Sequence, residues 1–287
     1  MTKTKHFINL DQIPVSALMR ILAHAHELKA QKYEPPQLFR GMSLAMIFDK
    51  KSTRTRLSFE IAFKQLGGHV TVMTKDEMQL GVNESVEDTA KVLSRFVDAI
   101  MIRLSDHDVV EELASYSNIP VINALTDRSH PCQIMADLMT IEEKKGNIAG
   151  LKLAWVGDYN NVAKTFMQVA PKFGFNLEIA SPTLEGSLTP QEAVQNADVV
   201  ITDTWVSMGE EGKAKEKFWP YQVNAELMAL AKQDAIFMHC MPIHRGEEVT
   251  NEVLDTEASV IYDEAENRLH VQKAILAWCL ENSGVKI

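Results

Sequence analysis

Short apolar runs and amphipathic stretches alternate along almost the whole chain, and few architectures accept that rhythm. Apolar or β-branched runs at 44–48, 69–73, 98–103, 120–123, 151–156, 176–180, 198–202, 235–239 and 260–263 read as strands. Between them lie segments with apolar residues at spacings of three and four. These are 8–31, a stretch opening near 53, 85–97, 106–117, 130–145, 161–173, 190–196, 224–232 and 265–281, and they read as helices. Ser85 with Asp88, and Thr189-Pro190 with Glu192, are helix-start signals. Val86, Ala90, Val92, Leu93 and Phe96 mark the expected buried face of 85–97. Leu57, Phe59, Ile61, Ala62, Phe63 and Leu66 do so for the helix that Gly67-Gly68 should end. Strand–helix alternation is the pattern of an α/β protein with parallel sheets flanked by helices.

The 287 residues suit two such units. The expected division is 1–130, a connecting helix over 131–149, a second unit over 150–264, and a C-terminal helix over 265–287 that packs back on the first domain. Three cysteines lie far apart, with no CxxC or Cys/His cluster of zinc-site spacing. They read as reduced thiols in a cytoplasmic protein, and no metal is expected. A net charge of −10 argues against a nucleic-acid partner. The N-terminal MTKTKHFINLDQIP lacks the apolar core of a secretory signal, and no run approaches a membrane span.

In parallel sheets, ligands bind beyond the carboxyl ends of the strands, so the residues after each strand are the candidates for chemistry. After 44–48 comes Ser52-Thr53-Arg54-Thr55-Arg56, entering a helix. A helix start presents unpaired N–H groups and the positive end of a dipole. With three hydroxyls and two guanidiniums added, it suits a multiply charged anion such as a phosphate. The plain alternative is a Ser/Thr cap with two solvated arginines, but arginine is poorly placed in a first turn.

Arg103 follows 98–102, His130-Pro131-Cys132-Gln133 follows 120–123, and Arg268 lies beyond 260–263. On the other half, Gly157-Asp-Tyr-Asn-Asn161, Asp203-Thr-Trp-Val-Ser207-Met208 and Cys240-Met241-Pro242 follow their strands. The first half thus offers cations and neutral donors. The second offers Asn161, Asp203, Ser207 and Cys240, which suit an amine or amino acid. A cleft between the halves would bring an anionic donor to an amine acceptor. Taken singly, His130 reads as a capping histidine, Cys240 as a buried thiol and Asp203 as a turn residue. A dinucleotide loop at 157–161 is disfavoured because GxGxxG is absent.

Together these residues resemble a known family. Ser52-Thr-Arg-Thr-Arg56 is similar to the carbamoyl-phosphate loop of carbamoyltransferases, and His130-Pro-Cys-Gln133 to their second signature. Asp203-Thr-Trp-Val-Ser-Met208 and His239-Cys-Met-Pro242 resemble the amino-acid and cysteine loops of the ornithine branch. The four motifs run in the family's order across nearly the whole chain.

The resemblance implies transfer of a carbamoyl group from carbamoyl phosphate to the δ-amine of L-ornithine. The products are L-citrulline and phosphate, and the setting is arginine metabolism. It implies that Ser52, Thr53, Arg54, Thr55, Gln79, Arg103, His130, Pro131, Cys132, Gln133, Cys240, Met241 and Arg268 hold the donor. Asn161, Asp203, Ser207 and Met208 would hold ornithine, with Arg103, His130, Cys240 and Thr55 as catalytic groups. It also implies a homotrimer, small-molecule substrates, no cofactor and no membrane. Tyr159, Met241 and Ile243 depart from the family's usual Gly, Leu and Ala, all in loops near the acceptor. Putrescine, acetylornithine or aspartate are the rival acceptors. A non-catalytic two-lobed anion-binding protein and a dehydrogenase are more distant alternatives.

Overall fold

The computed structural model describes residues 4–78, 83–206 and 215–281. The chain divides into two compact units. The first takes the chain up to Met139 and again from Arg268; the second spans Thr140–Asn267.

Unit 1 is built on a four-stranded parallel sheet of order β2-β1-β3-β4. Its strands are β1 (Ser43–Phe48), β2 (His69–Thr74), β3 (Ala99–Arg103) and β4 (Val121–Leu125). Its helices are α1 (Val15–Ala30), α2 (Thr53–Gln65), α3 (Val86–Phe96), α4 (His107–Tyr116) and the first part of α5 (Pro131–Lys145). Unit 2 repeats the plan with β5 (Lys152–Val156), β6 (Asn176–Ala180), β7 (Val199–Thr202) and β8 (Ile236–His239), in the order β6-β5-β7-β8. Its helices are α6 (Asn161–Phe173), α7 (Pro190–Val194), α8 (Ala225–Met228), α9 (Asn251–Leu254) and the start of α10 (Ile261–Glu281). From Arg268 onward α10 belongs to unit 1, so the last helix returns to the first domain. Among the described residues no helix is long and apolar enough to cross a membrane.

The central strands are covered on both faces, so they read as unbroken apolar runs: every residue of β3 and of β7 is buried. A matched latch recurs at the amino ends of the two sheets. Asp98 Oδ2 accepts the Ser43 N–H at 2.8 Å, and Asp198 Oδ2 accepts the Lys152 N–H at 2.9 Å. Each aspartate precedes the strand beside the one it caps. Asp198→Ala leaves that strand-edge donor without its carboxylate, and we expect a loss of about 1–3 kcal/mol in unfolding free energy. Urea unfolding of the variant measures it; a change under 0.5 kcal/mol would refute the latch.

Helix ends follow local chemistry. Gly67 and Gly68 return their N–H groups to Lys64 O and Phe63 O, both at 3.0 Å, with Gly67 at φ +92°. This is the glycine C-terminus that the sequence signals. Thr189 and Glu192 form a reciprocal capping box at α7. At α3 only half the box forms. Ser85 Oγ accepts the Asp88 N–H at 3.0 Å, while the Asp88 carboxylate accepts from Ser85 Oγ.

Several expectations need correction. The segment 8–31 is not one helix: Leu10–Gln12 forms a 3-10 turn and α1 begins at Val15, after Pro14. Phe7 lies extended against β4, its N–H on Val121 O and its carbonyl accepting from Asn123. That placement buries Ile8 and Leu10 outside any α-helix. The stretch 260–263 is not a strand. Val260 makes one backbone bond to Phe237, and α10 starts at Ile261, with Asp263 and Glu264 favouring a helix N-terminus. The helix expected over 224–232 shortens to Ala225–Met228. Leu57 and Ile61 on α2, and Val92 and Phe96 on α3, are exposed, Phe96 by 75%. The buried stripes are Thr55-Phe59-Ala62-Phe63 and Val86-Thr89-Ala90-Leu93. At about 100° per residue Val92 and Phe96 fall beside their stripe, whereas Leu57 and Ile61 fall on the opposite face of α2.

Candidate active site

In unit 1 the last residue of β3 and one from α10 meet on the Thr55 side chain, which follows β1. Ser52 is the N-cap of α2 in extended conformation, yet its hydroxyl caps nothing. The capping alternative therefore fails for Ser52, and the first-turn N–H groups are not taken by a side-chain cap. Thr55, one turn in, is fully buried. Its Oγ1 accepts from Arg103 Nη1 at 2.9 Å and from Arg268 Nη2 at 2.9 Å. Both arginines are almost fully buried. Arg54 is half-buried and Thr53 exposed. Arg56 leaves the group: its exposed side chain points along α2 toward Glu60, 3.9 Å away.

Arg103 is aimed by the sheet edge. The β3–β4 register slips between Ile102, opposite Asn123, and Arg103, opposite Leu125. Such a slip at a strand end re-orients the side chain that follows it. Asp49 fixes the neighbouring turns, its N–H on Arg103 O and its Oδ2 accepting the Ser105 N–H.

His130 follows a turn held by a buried polar network. Thr126 N–H bonds Ser129 O, Ser129 Oγ donates to Asn9 Oδ1, and Asn123 Nδ2 donates to Ser129 Oγ. His107 bridges Asn9 and Thr126 through its two ring nitrogens. Burial, and then the Arg268 and Arg103 guanidiniums, hold the His130 imidazole well below its usual pKa, so it is neutral at pH 7.

The rest of the 130–133 signature turns elsewhere. Pro131 is the first residue of α5. Cys132 is buried, donates to Asn123 O at 3.3 Å, and is pushed up to about 12 by burial. It packs as a structural thiol. Gln133 donates to Asp137 on its own helix at 2.8 Å. Gln79 lies outside the described residues.

In unit 2 the centre is Asp203, beyond β7. Its Oδ2 accepts from Asn160 Nδ2 at 2.7 Å. Its Oδ1 accepts the Thr204 N–H at 2.8 Å and the Cys240 thiol at 3.2 Å. Asn160 is also the N-cap of α6, accepting from Val162 and Ala163 N–H groups. Asn161, the expected residue, opens α6, and its neighbour Asn160 is the one bonded to Asp203; the signal for Asn160 was its place as the last residue before an apolar helix. Gly157 adopts φ +132°, and a Cβ there would lie 3.2 Å from Thr202 Oγ1. That glycine serves the close approach of β5 and β7.

The Cys240 loop is pinned from below. His239 N–H donates to Glu264 Oε2, His239 Nδ1 accepts the Met241 N–H at 2.9 Å, and His239 Nε2 donates to Glu248 Oε1 at 3.1 Å. Glu248 and Glu264 were also not singled out as site residues. Ser207 and Met208 lie outside the described residues. All three cysteines are free thiols.

Residues 5–143 match the family model described as the aspartate/ornithine carbamoyltransferase carbamoyl-P binding domain. Residues 183–279 match the Asp/Orn binding domain of the same family. The ornithine carbamoyltransferase of Brucella suis is 52% identical over 98% of this chain and 97% of its own length. That of Bradyrhizobium diazoefficiens is 50% identical over 96% and 97%. The solved structure of ornithine carbamoyltransferase from Pyrococcus furiosus superposes with a TM-score of 0.93 at 46% identity, covering 99% of this chain and 98% of that one. Two domain models in the right order and half-identical relatives over nearly their full length agree with the fold, and the chain belongs to the aspartate/ornithine carbamoyltransferase family, on its ornithine carbamoyltransferase branch.

Proposed function

We propose that this chain transfers the carbamoyl group of carbamoyl phosphate to the δ-amine of L-ornithine, releasing L-citrulline and phosphate. Unit 1 takes the donor and unit 2 the amino acid. The observation that carries the reading is the double hydrogen bond to Thr55 Oγ1. A hydroxyl has two lone pairs and one proton. With Arg103 and Arg268 on its lone pairs, the Thr55 hydroxyl has only its proton left to offer, so it acts as a donor to a substrate oxygen. Arg103, neutral His130 and Thr55 together would stabilise negative charge on the carbonyl oxygen as the tetrahedral intermediate forms. Arg54, Arg268, Ser52, Thr53 and the first-turn N–H groups would hold the phosphate that leaves. Asp203, with Asn160 and Cys240 fixing it, would pair with the ammonium end of ornithine.

No covalent intermediate is needed, because the amine attacks the carbonyl carbon directly. The δ-amine must first lose a proton. With a pKa of about 10.4, that costs roughly 4.6 kcal/mol at pH 7. His130 is already neutral there, so it adds no inflection of its own near pH 6.5.

Exposed Leu57 and Ile61, just after the anion loop on α2, support a homotrimer with a subunit contact beside that loop. The product places the enzyme in arginine metabolism, and three free thiols suit the reducing cytoplasm.

The test is product formation from carbamoyl phosphate with ornithine, putrescine, acetylornithine and aspartate between pH 6.5 and 9. Ornithine should lead by at least about 100-fold in kcat/KM, with turnover rising across the range. A better rate with another acceptor rejects the acceptor assignment, and a flat profile rejects rate control by amine deprotonation.

A further inference from the structure

The loop after Cys240 holds a second group of ionisable side chains that carbamoyl transfer does not use. His244 Nδ1 and one carboxylate oxygen each of Glu247 and Glu248 lie within 4.8 Å of one another. His244 Nδ1 is 3.7 Å from Glu248 Oε2 and 3.9 Å from Glu247 Oε2. These gaps are too long for hydrogen bonds. They lie close to the roughly 3.3–3.4 Å between ligand atoms around a tetrahedral ion with bonds of about 2.0–2.1 Å.

Glu248 supplies an independent observation. It is fully buried, and among the described residues its Oε2 accepts no hydrogen bond. Its Oε1 is the half that is used, accepting from His239 Nε2 and from the His244 N–H. A buried carboxylate oxygen without a donor is costly, and this one is aimed at an imidazole nitrogen across a gap of ion size. Arg245 does not fill that gap, since its guanidinium turns to Asn251 and Asp255.

We propose that His244, Glu247 and Glu248 form a binding site for a divalent transition metal ion of the zinc class, with a fourth position open to water. One imidazole and two carboxylates suit zinc better than calcium or magnesium, which favour all-oxygen sets. Sequence reasoning missed the site because it searched for Cys/His spacing, whereas the ligands run His-x-x-Glu-Glu. Lys215 is a competitor built into the site, with its ammonium 2.6 Å from Glu247 Oε2. The ion is coupled to the Cys240 loop through Glu248 Oε1, His239 and the Met241 N–H, so an occupied site braces that loop.

Titration of the full chain with Zn2+ against a chromogenic chelator tests this. His244 and Glu247 are partly exposed, so His244→Ala and Glu247→Gln spare the core; melting curves without metal confirm that each variant is folded. The expected result is one ion per chain, with affinity falling at least about tenfold in His244→Ala and in Glu247→Gln. It should rise in Lys215→Met and stay within about twofold in Cys240→Ala. Loss of the ion in Cys240→Ala with retention in His244→Ala would move it to the Asp203–His239–Cys240 group and overturn the proposal. So would weaker binding in Lys215→Met, or no uptake by the unaltered chain.

Discussion

Arg268→Met is expected to weaken carbamoyl phosphate binding by roughly thirty- to several-thousand-fold, while the KM for ornithine moves far less. Arg268 is almost fully buried, and its Nη2 reaches Thr55 Oγ1 at 2.9 Å. Removing a buried charge that pairs with an anionic ligand costs about 2–5 kcal/mol, and each 1.4 kcal/mol is tenfold in affinity. Methionine keeps most of the apolar stem, so packing on α10 should survive. Loss of the guanidinium also frees a lone pair on Thr55, which can then accept as well as donate. The variant should therefore lose more in kcat/KM for the donor than binding alone accounts for. Initial rates with each substrate varied in turn separate the two. An unchanged donor KM, or a larger change for ornithine, would break the assignment of Arg268 to the donor.

Asp203→Asn should lower kcat/KM for ornithine by about two to three orders of magnitude. The substitution preserves size but reverses chemistry. Asp203 receives donors on both oxygens: the Asn160 amide on one, the Thr204 N–H and Cys240 thiol on the other. An amide NH2 in either position meets a donor where an acceptor stood, and a buried mismatch of that kind costs about 1–3 kcal/mol. Loss of the negative charge toward the substrate ammonium adds to it. Cys240→Ala removes one donor and leaves the carboxylate, so its effect should be the milder of the two. An Asp203→Asn enzyme within threefold of the unaltered one, or a Cys240→Ala enzyme more damaged than it, would remove Asp203 from the acceptor site.

The strands were legible because parallel strands covered on both faces must be apolar at every position. Ala99 to Ile102 and Val199 to Ile201 cannot be read otherwise. Residues 8–13 misled because their apolar residues run straight into the amphipathic stretch of Leu18, Ile21, Leu22 and Leu28, with only Pro14 to part them. Their burial comes instead from Phe7 lying along β4, a partner more than a hundred residues away. Residues 260–263 misled in the opposite sense, a β-branched start hiding a helix whose first turn is acidic. Exposed Phe96 shows a further limit: periodicity finds an apolar face without saying what covers it. Within the site, chain order showed which residues follow each strand. It did not show that Arg103 and Arg268 share one hydroxyl, or that Cys132 faces β4, since only the folded register decides those contacts.

The discontinuity of unit 1 also sets an order of events at the ribosome. Unit 2 is an unbroken segment, complete once Asn267 has emerged, whereas unit 1 waits for the portion of α10 that begins at Arg268. Arg268 and Thr55 are 213 positions apart. Domains fold as they are synthesised, at about 5–20 residues per second. A nascent chain can therefore finish its second domain while its first still lacks one of the two cations that meet at Thr55. The Arg103–Thr55–Arg268 group, begun early in translation, is among the last parts to be completed, so a prematurely released chain carries it unfinished.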